Sequence, residues 1–178
     1  DKAELISKIE KRFWKINITS ENVEDIIAKR MVSKNQNQVQ ELKKLFSTIN
    51  NRFSNIALEE DRYIELFPVH PYVIDVFSKL TFFENRSILQ FVSQAIRKIM
   101  DNEFPAFVTF DMIYDLMIES DYGVKNNPDV IPVAGAVDSL KGNVNRIDSK
   151  YREGGLRLIK SLAILNLTSS GDKKQGDT

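Results

Sequence analysis

Cysteine is absent from these 178 residues. Disulfides, thiolate zinc sites, iron–sulfur clusters and a cysteine nucleophile are thereby excluded. Histidine occurs once, as His70, which rules out a His-rich metal site and leaves one position for any Ser–His–Asp arrangement. Neither charge sign is in excess: 25 Lys+Arg face 25 Asp+Glu, and the pI is about 6.8. That balance speaks against a generally basic nucleic-acid binder, though not against a local basic face. No apolar run approaches the roughly 20 residues of a membrane span, and no signal-peptide core opens the chain. No membrane partner is expected, and the expected location is cytoplasmic.

Catalytic signatures are missing as well. There is no G-x-x-x-x-G-K run ending in Ser or Thr, no G-x-G-x-x-G, no G-x-S-x-G and no H-E-x-x-H. A phosphate-cradling loop and the common nucleophile and zinc-protease motifs are thus excluded. Carboxylate pairs such as Glu59-Glu60, or Asp111 with Asp115, have the spacing of solvated helix faces rather than of glycosidase or metal sites. No catalytic residue and no metal ligand is assigned.

What the chain does have is helical periodicity. Val39, Leu42, Leu45, Phe46, Ile49 and Phe53 recur at spacings of three and four, one apolar stripe on one helix. Ile88, Leu89, Val92, Ala95, Ile96, Ile99 and Met100 do the same. Val133, Val137, Leu140, Val144 and Ile147 make a third stripe, Met112, Ile113, Leu116 and Met117 a short fourth, and Leu156, Ile159, Leu162, Ala163 and Leu167 a fifth. Val23, Ile26, Ile27 and Met31 line a further short helix. Thr19 or Ser20 serves as its N-cap, with Glu21, Glu24 and Asp25 in the first turns, where the dipole favours negative charge. With 42% hydrophobic and 28% charged residues, the chain is long enough to bury these stripes, since a domain of about 150 residues hides roughly 70% of its unfolded surface.

Punctuation falls between the stripes. Pro68 and Pro71 bracket His70, and Pro71 suits the first turn of a helix reaching about Phe82. Pro105 ends the helix that begins near Arg86, and residues 121–128, with Gly123, Asn126 and Asn127, read as a loop. Only Phe13-Trp14-Lys15-Ile16-Asn17-Ile18 has strand character. The expectation is an all-α domain, an irregular bundle of about seven helices with at most one short strand near the N-terminus. Residues 1–18 are expected to be the tail end of something upstream, 19–168 the bundle, and 169–178 a polar flexible end. A chain opening on Asp1 and closing on that polar run is expected to be a piece of a longer protein.

Phe67-Pro68-Val69-His70-Pro71, one amphipathic helix, and then Glu84-Asn85-Arg86-Ser87-Ile88-Leu89-Gln90-Phe91-Val92-Ser93 form a compound pattern. It resembles a pattern in large bacterial P-loop ATPases of the AAA+-like class, among them phage-resistance ATPases of the BREX type and related ATP-binding proteins. Phe13-x-x-Ile16-x-Ile18 resembles the last strand of their nucleotide-binding core. Val23 to Met31 looks like the first helix beyond it, and Arg157-Leu158-Ile159-Lys160-Ser161-Leu162-Ala163 like the final helix before the next domain.

The resemblance implies a helical lid or regulatory segment that couples nucleotide state to motion, in phage defence or DNA transactions. ATP and Mg²⁺ would belong to the parent protein and none to this segment. The implied partner is the upstream ATPase core of the same chain, with an oligomer of the parent also possible. Arg86 is then the foremost nucleotide-sensing candidate, because a guanidinium at a lid helix can meet phosphate oxygens bidentately. The alternative for Arg86 is a surface arginine paired with Glu84. Asn85 is a cap or a nucleotide contact, and Arg30 and Arg157 are further sensing candidates. Pro68, His70 and Pro71 are assigned a structural role in aiming the following helix.

A different reading remains open: a helical module that binds protein or nucleic acid and has no nucleotide role. Lys8, Lys11, Arg12 and Lys15, or Lys29, Arg30 and Lys34, supply the local basic faces it would use. Net charge gives nucleic acid no support.

Overall fold

In the structure, a computed structural model, residues 20–53, 59–83, 87–119 and 126–174 are described. They form eight α-helices: α1 Ser20–Ile26, α2 Gln36–Arg52, α3 Glu60–Leu66, α4 Pro71–Lys79, α5 Ser87–Ile99, α6 Phe110–Glu119, α7 Val130–Val144 and α8 Ser149–Lys174. The all-α expectation holds across these residues, which contain no strand. Their only ladder contact is an isolated parallel bridge between Val69 and Val108. The strand expected at 13–18 lies outside the described residues.

Local signals explain several boundaries. α1 does not stop at Ile26 but widens into a π-turn over Ile27–Met31. Asn35 caps α2 through a reciprocal capping box with Gln38: the Gln38 amide donates to Asn35 Oδ1 at 2.9 Å, and the Asn35 amide to Gln38 Oε1 at 2.9 Å. α4 opens on Pro71, whose missing N–H would be an orphan at that position anyway.

α4 is the hub. It packs against α1, α3, α5, α6 and α8, and its Val73, Ile74, Val76 and Phe77 are all buried. Around it lies the main core, which takes in Ile27, Val92, Ile113, Met117, Val130 and Ile164. A smaller core of Leu42, Phe46, Tyr63 and Ile64 joins α2 to α3. Phe46 meets Tyr63 at 5.4 Å between ring centroids, and Phe107 meets Phe67 at 5.1 Å. Such tilted and edge-on pairs add to the gain from area burial.

Four sequence expectations need correcting or extending. The seven expected helices become eight among the described residues, because α3 has only two turns and too few apolar positions to show a period. The stripe expected through Leu140 and Ile147 is narrower: α7 ends at Val144 and buries only Val130, Val137 and Val144, one residue every seven. Leu140 and Ile147 are exposed. In α8 the buried set is Ala163, Ile164, Leu167 and Thr168, whereas Leu162 is 56% exposed. Finally, α8 runs through Ser169 to Lys174, so helix extends into the polar end.

Candidate functional site

The segment carrying Pro68, His70 and Pro71 is brought together as one joint. The peptides Phe67-Pro68 and Phe104-Pro105 are both cis, and the two segments that contain them lie side by side. Val108 N–H donates to the Pro68 carbonyl at 2.9 Å, and His70 N–H to the Val108 carbonyl at 3.2 Å. Val69 and Val108 are fully buried. The His70 ring sits among aromatic neighbours, with Tyr63, Tyr72 and Phe110 at centroid distances of 5.2, 5.6 and 5.6 Å. Its Nε2 pairs with the Tyr63 hydroxyl at 3.1 Å, and its buried Nδ1 has no partner. Burial, reinforced by the nearby Arg62 charge, lowers the His70 pKa below the ordinary value. Among the described residues the ring packs against aromatics and forms no ion pair with an acidic side chain.

Arg62, a residue with no motif around it, ties this joint to α1. Its Nη2 donates to Glu24 Oε1 and, at 2.8 Å, to Asp75 Oδ1; its Nε reaches Glu24 Oε2 at 3.3 Å. Glu59 adds a contact at 3.4 Å, and the Tyr72 ring lies 5.7 Å from the guanidinium carbon. Hydrogen bonding to Glu24, then to Asp75, raises the Arg62 pKa further above its already high value. Three helices thus meet on one fork-shaped cation.

Arg157 lies in a different place, a cleft of about 610 Å³ bordered by α5, α6 and α8. Its Nε donates to Asp111 Oδ2 at 3.1 Å and its Nη2 to Thr109 Oγ1 at 3.0 Å. Thr109 Oγ1 in turn donates to the other oxygen of the buried Asp111. One turn along, Lys160 Nζ donates to Asp115 Oδ1 at 2.6 Å. The cleft therefore alternates cations and carboxylates that already satisfy each other. Among the described residues, no group of three His, Asp or Glu side chains is arranged to hold a metal ion. Asp111 and Asp115 are committed to Arg157 and Lys160, and Glu103 and Glu153 also border the cleft.

Arg30 lies in the π-turn and is exposed. Asn85 and Arg86 lie outside the described residues. The structure thus groups Pro68, His70 and Pro71, places Arg157 in a salt-bridged cleft, and leaves Arg30 apart from both. Sequence reasoning missed Arg62 and read Asp111 as part of a solvated helix face, whereas Asp111 is buried and paired with Arg157. Arg62 has one local partner, Glu59, at i,i+3, but its main partners Asp75 and Glu24 lie 13 and 38 positions away. Thr109 and Asp111, two residues apart at the start of α6, do carry a helix-start signal.

A family model described as the DUF6079 second domain matches residues 35–178. No curated protein and no solved structure matches the chain. The family match runs from the capping residue of α2 through the last helix, seven of the eight helices, the smaller core and most of the main core, so this chain belongs to the DUF6079 second-domain family.

Proposed function

We propose that this domain is a helical coupling module, the lid or regulatory segment of a multidomain P-loop ATPase. In this reading ATP and Mg²⁺ are held by a core elsewhere in the same protein, and the helices transmit the nucleotide state. The observation that carries it is the double-faced character of α8. One face buries Ala163, Ile164 and Leu167 against the bundle, while Tyr151, Leu158, Leu162 and Leu165 stand 60%, 60%, 56% and 37% exposed on the other. Contiguous exposed apolar side chains of this size mark an interaction surface. The family description as a second domain suits a module with a neighbouring domain to contact.

The test uses the longer parent protein. Arg86→Ala and, separately, Leu158→Glu with Leu162→Glu are expected to slow ATP hydrolysis while circular dichroism and melting stay unchanged. Turnover equal to wild type in both would overturn the coupling reading, as would an upstream sequence without a Walker A motif.

The second reading, an interaction module with no nucleotide role, is favoured by one observation. Arg157 is engaged by Asp111 and Thr109, which gives it a structural reason to exist. ATP hydrolysis unaffected by the α8 substitutions, together with loss of a binding partner, would select it.

A further inference from the structure

α8 carries a second apolar line, turned away from the bundle. The bundle takes one face of the helix through Ala163, Ile164 and Leu167. On the opposite face, Tyr151, Gly155, Leu158, Leu162, Leu165 and Ser169 follow one another at spacings of four, three, four, three and four. Strict alternation of three and four is the seam along which one helix packs on another, narrower than the broad stripe that covers a globular core. Tyr151, Leu158, Leu162, Leu165 and Ser169 are all exposed, so the seam is open. From Tyr151 to Ser169 it is about 27 Å long at the rise of an α-helix.

The seam holds no charged side chain. Arg157 and Lys160 turn off it toward Asp111 and Asp115 of α6, and Arg152 Nε donates to the Ile147 carbonyl at 3.0 Å. The whole chain has a formal net charge of zero, so two copies approach without long-range repulsion.

Side-chain size along the seam suits its own reversal. Two antiparallel α8 helices, related by a twofold axis between Leu158 and Leu162, place Leu158 opposite Leu162, Leu165 opposite Gly154-Gly155, and Tyr151 opposite Ser169. Leucine meets leucine at the centre, and large meets small toward each end. Room exists for the incoming Leu165, because a Cβ at Gly154 would meet nothing within 4 Å. Ile147 walls the far side, with Cδ1 3.4 Å from the Cβ position of Gly155. It is itself 42% exposed, so it can pack on a second leucine. Antiparallel packing also sets the N-terminus of each helix dipole beside the other's C-terminal half. A parallel pair in register would stack Tyr151 on Tyr151 and leave gaps at Gly155 and Ser169, which a close-packed contact disfavours.

We propose that the outer face of α8 is the contact between two copies of this chain, packed antiparallel about that twofold axis. Each residue of such a contact serves twice, once from either side. The pairing rests on the reading of this face as an interaction surface, and it names the occupant.

Sedimentation velocity of the full chain over a concentration series tests the pairing. A monomer–dimer equilibrium is expected, and Leu158→Glu with Leu162→Glu is expected to abolish it. Both side chains are exposed, so circular dichroism should be unchanged. A chain that sediments as a monomer throughout would overturn the proposal, as would a dimer that the double variant leaves intact. The orientation is read by disulfide capture, for which the chain offers no competing cysteine. Tyr151→Cys chains mixed with Ser169→Cys chains in a glutathione redox buffer are expected to cross-link severalfold more than either variant alone. In the proposed pair the two Tyr151 positions lie about 27 Å apart, far beyond disulfide reach. Tyr151→Cys alone linking as readily as the mixture would overturn the antiparallel seam. ATP hydrolysis by the longer protein reads the coupling function separately. A monomeric chain whose α8 substitutions still slow hydrolysis would overturn the pairing and leave the coupling reading standing.

Discussion

The Tyr63 hydroxyl lies 3.1 Å from Nε2 of His70, and this contact joins the short helix α3 to the joint that launches α4. Tyr63 is at the same time a member of the smaller core, so its ring packs on α2 while its hydroxyl serves the joint. Tyr63→Phe keeps the ring and deletes the hydroxyl, leaving Nε2 without its partner. An expected loss of about 1–2 kcal/mol follows from stranding a partly buried polar atom. His70→Ala also removes ring packing and is expected to cost about 2–3 kcal/mol. Urea unfolding of the two single variants and the double variant checks both values. A coupling energy near zero in that cycle would show that the hydroxyl and the ring act independently.

Protonation of His70 should report through stability. Burial depresses its folded pKa below the ordinary 6.5, and the Arg62 charge acts in the same direction. The unfolded chain therefore binds the proton first. The stability this neutral ring contributes is present above about 6.5 and is lost as pH falls toward the depressed folded value. Melting temperature is expected to decline through that window, above the range where most carboxylates titrate. In His70→Gln, which cannot titrate, the decline should flatten. An identical slope in wild type and variant would assign the pH dependence to other groups.

Arg62 holds Glu24 of α1 and Asp75 of α4 from α3. Its side chain is 23% exposed, and removing it leaves two carboxylates facing each other across a helix junction. Arg62→Met, which keeps the aliphatic length, is expected to destabilise by about 1–3 kcal/mol. Arg62→Lys should recover only part of this, because an ammonium cannot meet Glu24 with two parallel bonds and Asp75 as well. Glu24→Gln in the Arg62→Met background should restore some stability by removing one of the stranded charges. Chemical denaturation of these variants at low and high salt separates the charge effect from lost packing.

How far the sequence foretold these features depends on the range of the interaction. The stripes of α2 and α5 were legible because Leu42, Phe46, Ile88, Val92, Ala95 and Ile99 repeat at helical spacing and are indeed buried. The start of α4 at Pro71 was legible from the prolines that flank His70. In α7 and α8 the same method was right only in part: Val137, Val144, Ala163 and Leu167 are buried, but Leu140 and Leu162 fit the same pattern and lie on the outward face. Periodicity fixes that a helix has an apolar side, whereas tertiary packing decides which side turns inward when apolar residues occupy more than one. α3 was hidden because two turns hold too few positions to show a period. The Arg62 and Arg157 networks were hidden because most of their partners, Glu24, Asp75, Asp111 and Thr109, are far away in sequence. Lys34 was visible only as one member of a basic cluster; its donation to the Val32 and Glu65 carbonyls is a product of the fold.

α8 begins at Ser149 and passes straight through Gly154 and Gly155, two residues that disfavour a helix interior. Their surroundings differ. A Cβ at Gly154 would meet nothing within 4 Å, whereas one at Gly155 would lie 3.4 Å from Ile147 Cδ1 and 3.5 Å from Val144 Cγ1. Gly154→Ala is expected to stabilise by about 0.5–1 kcal/mol, the helix-propensity gain expected where nothing opposes the methyl group. At Gly155 the same gain is joined by ordinary van der Waals contact with Ile147 and the end of α7, so Gly155→Ala should match or exceed the Gly154 variant. Thermal melts of the two single variants read the difference directly. A Gly155 variant clearly less stable than the Gly154 variant would mean that the end of α7 crowds α8 at this point.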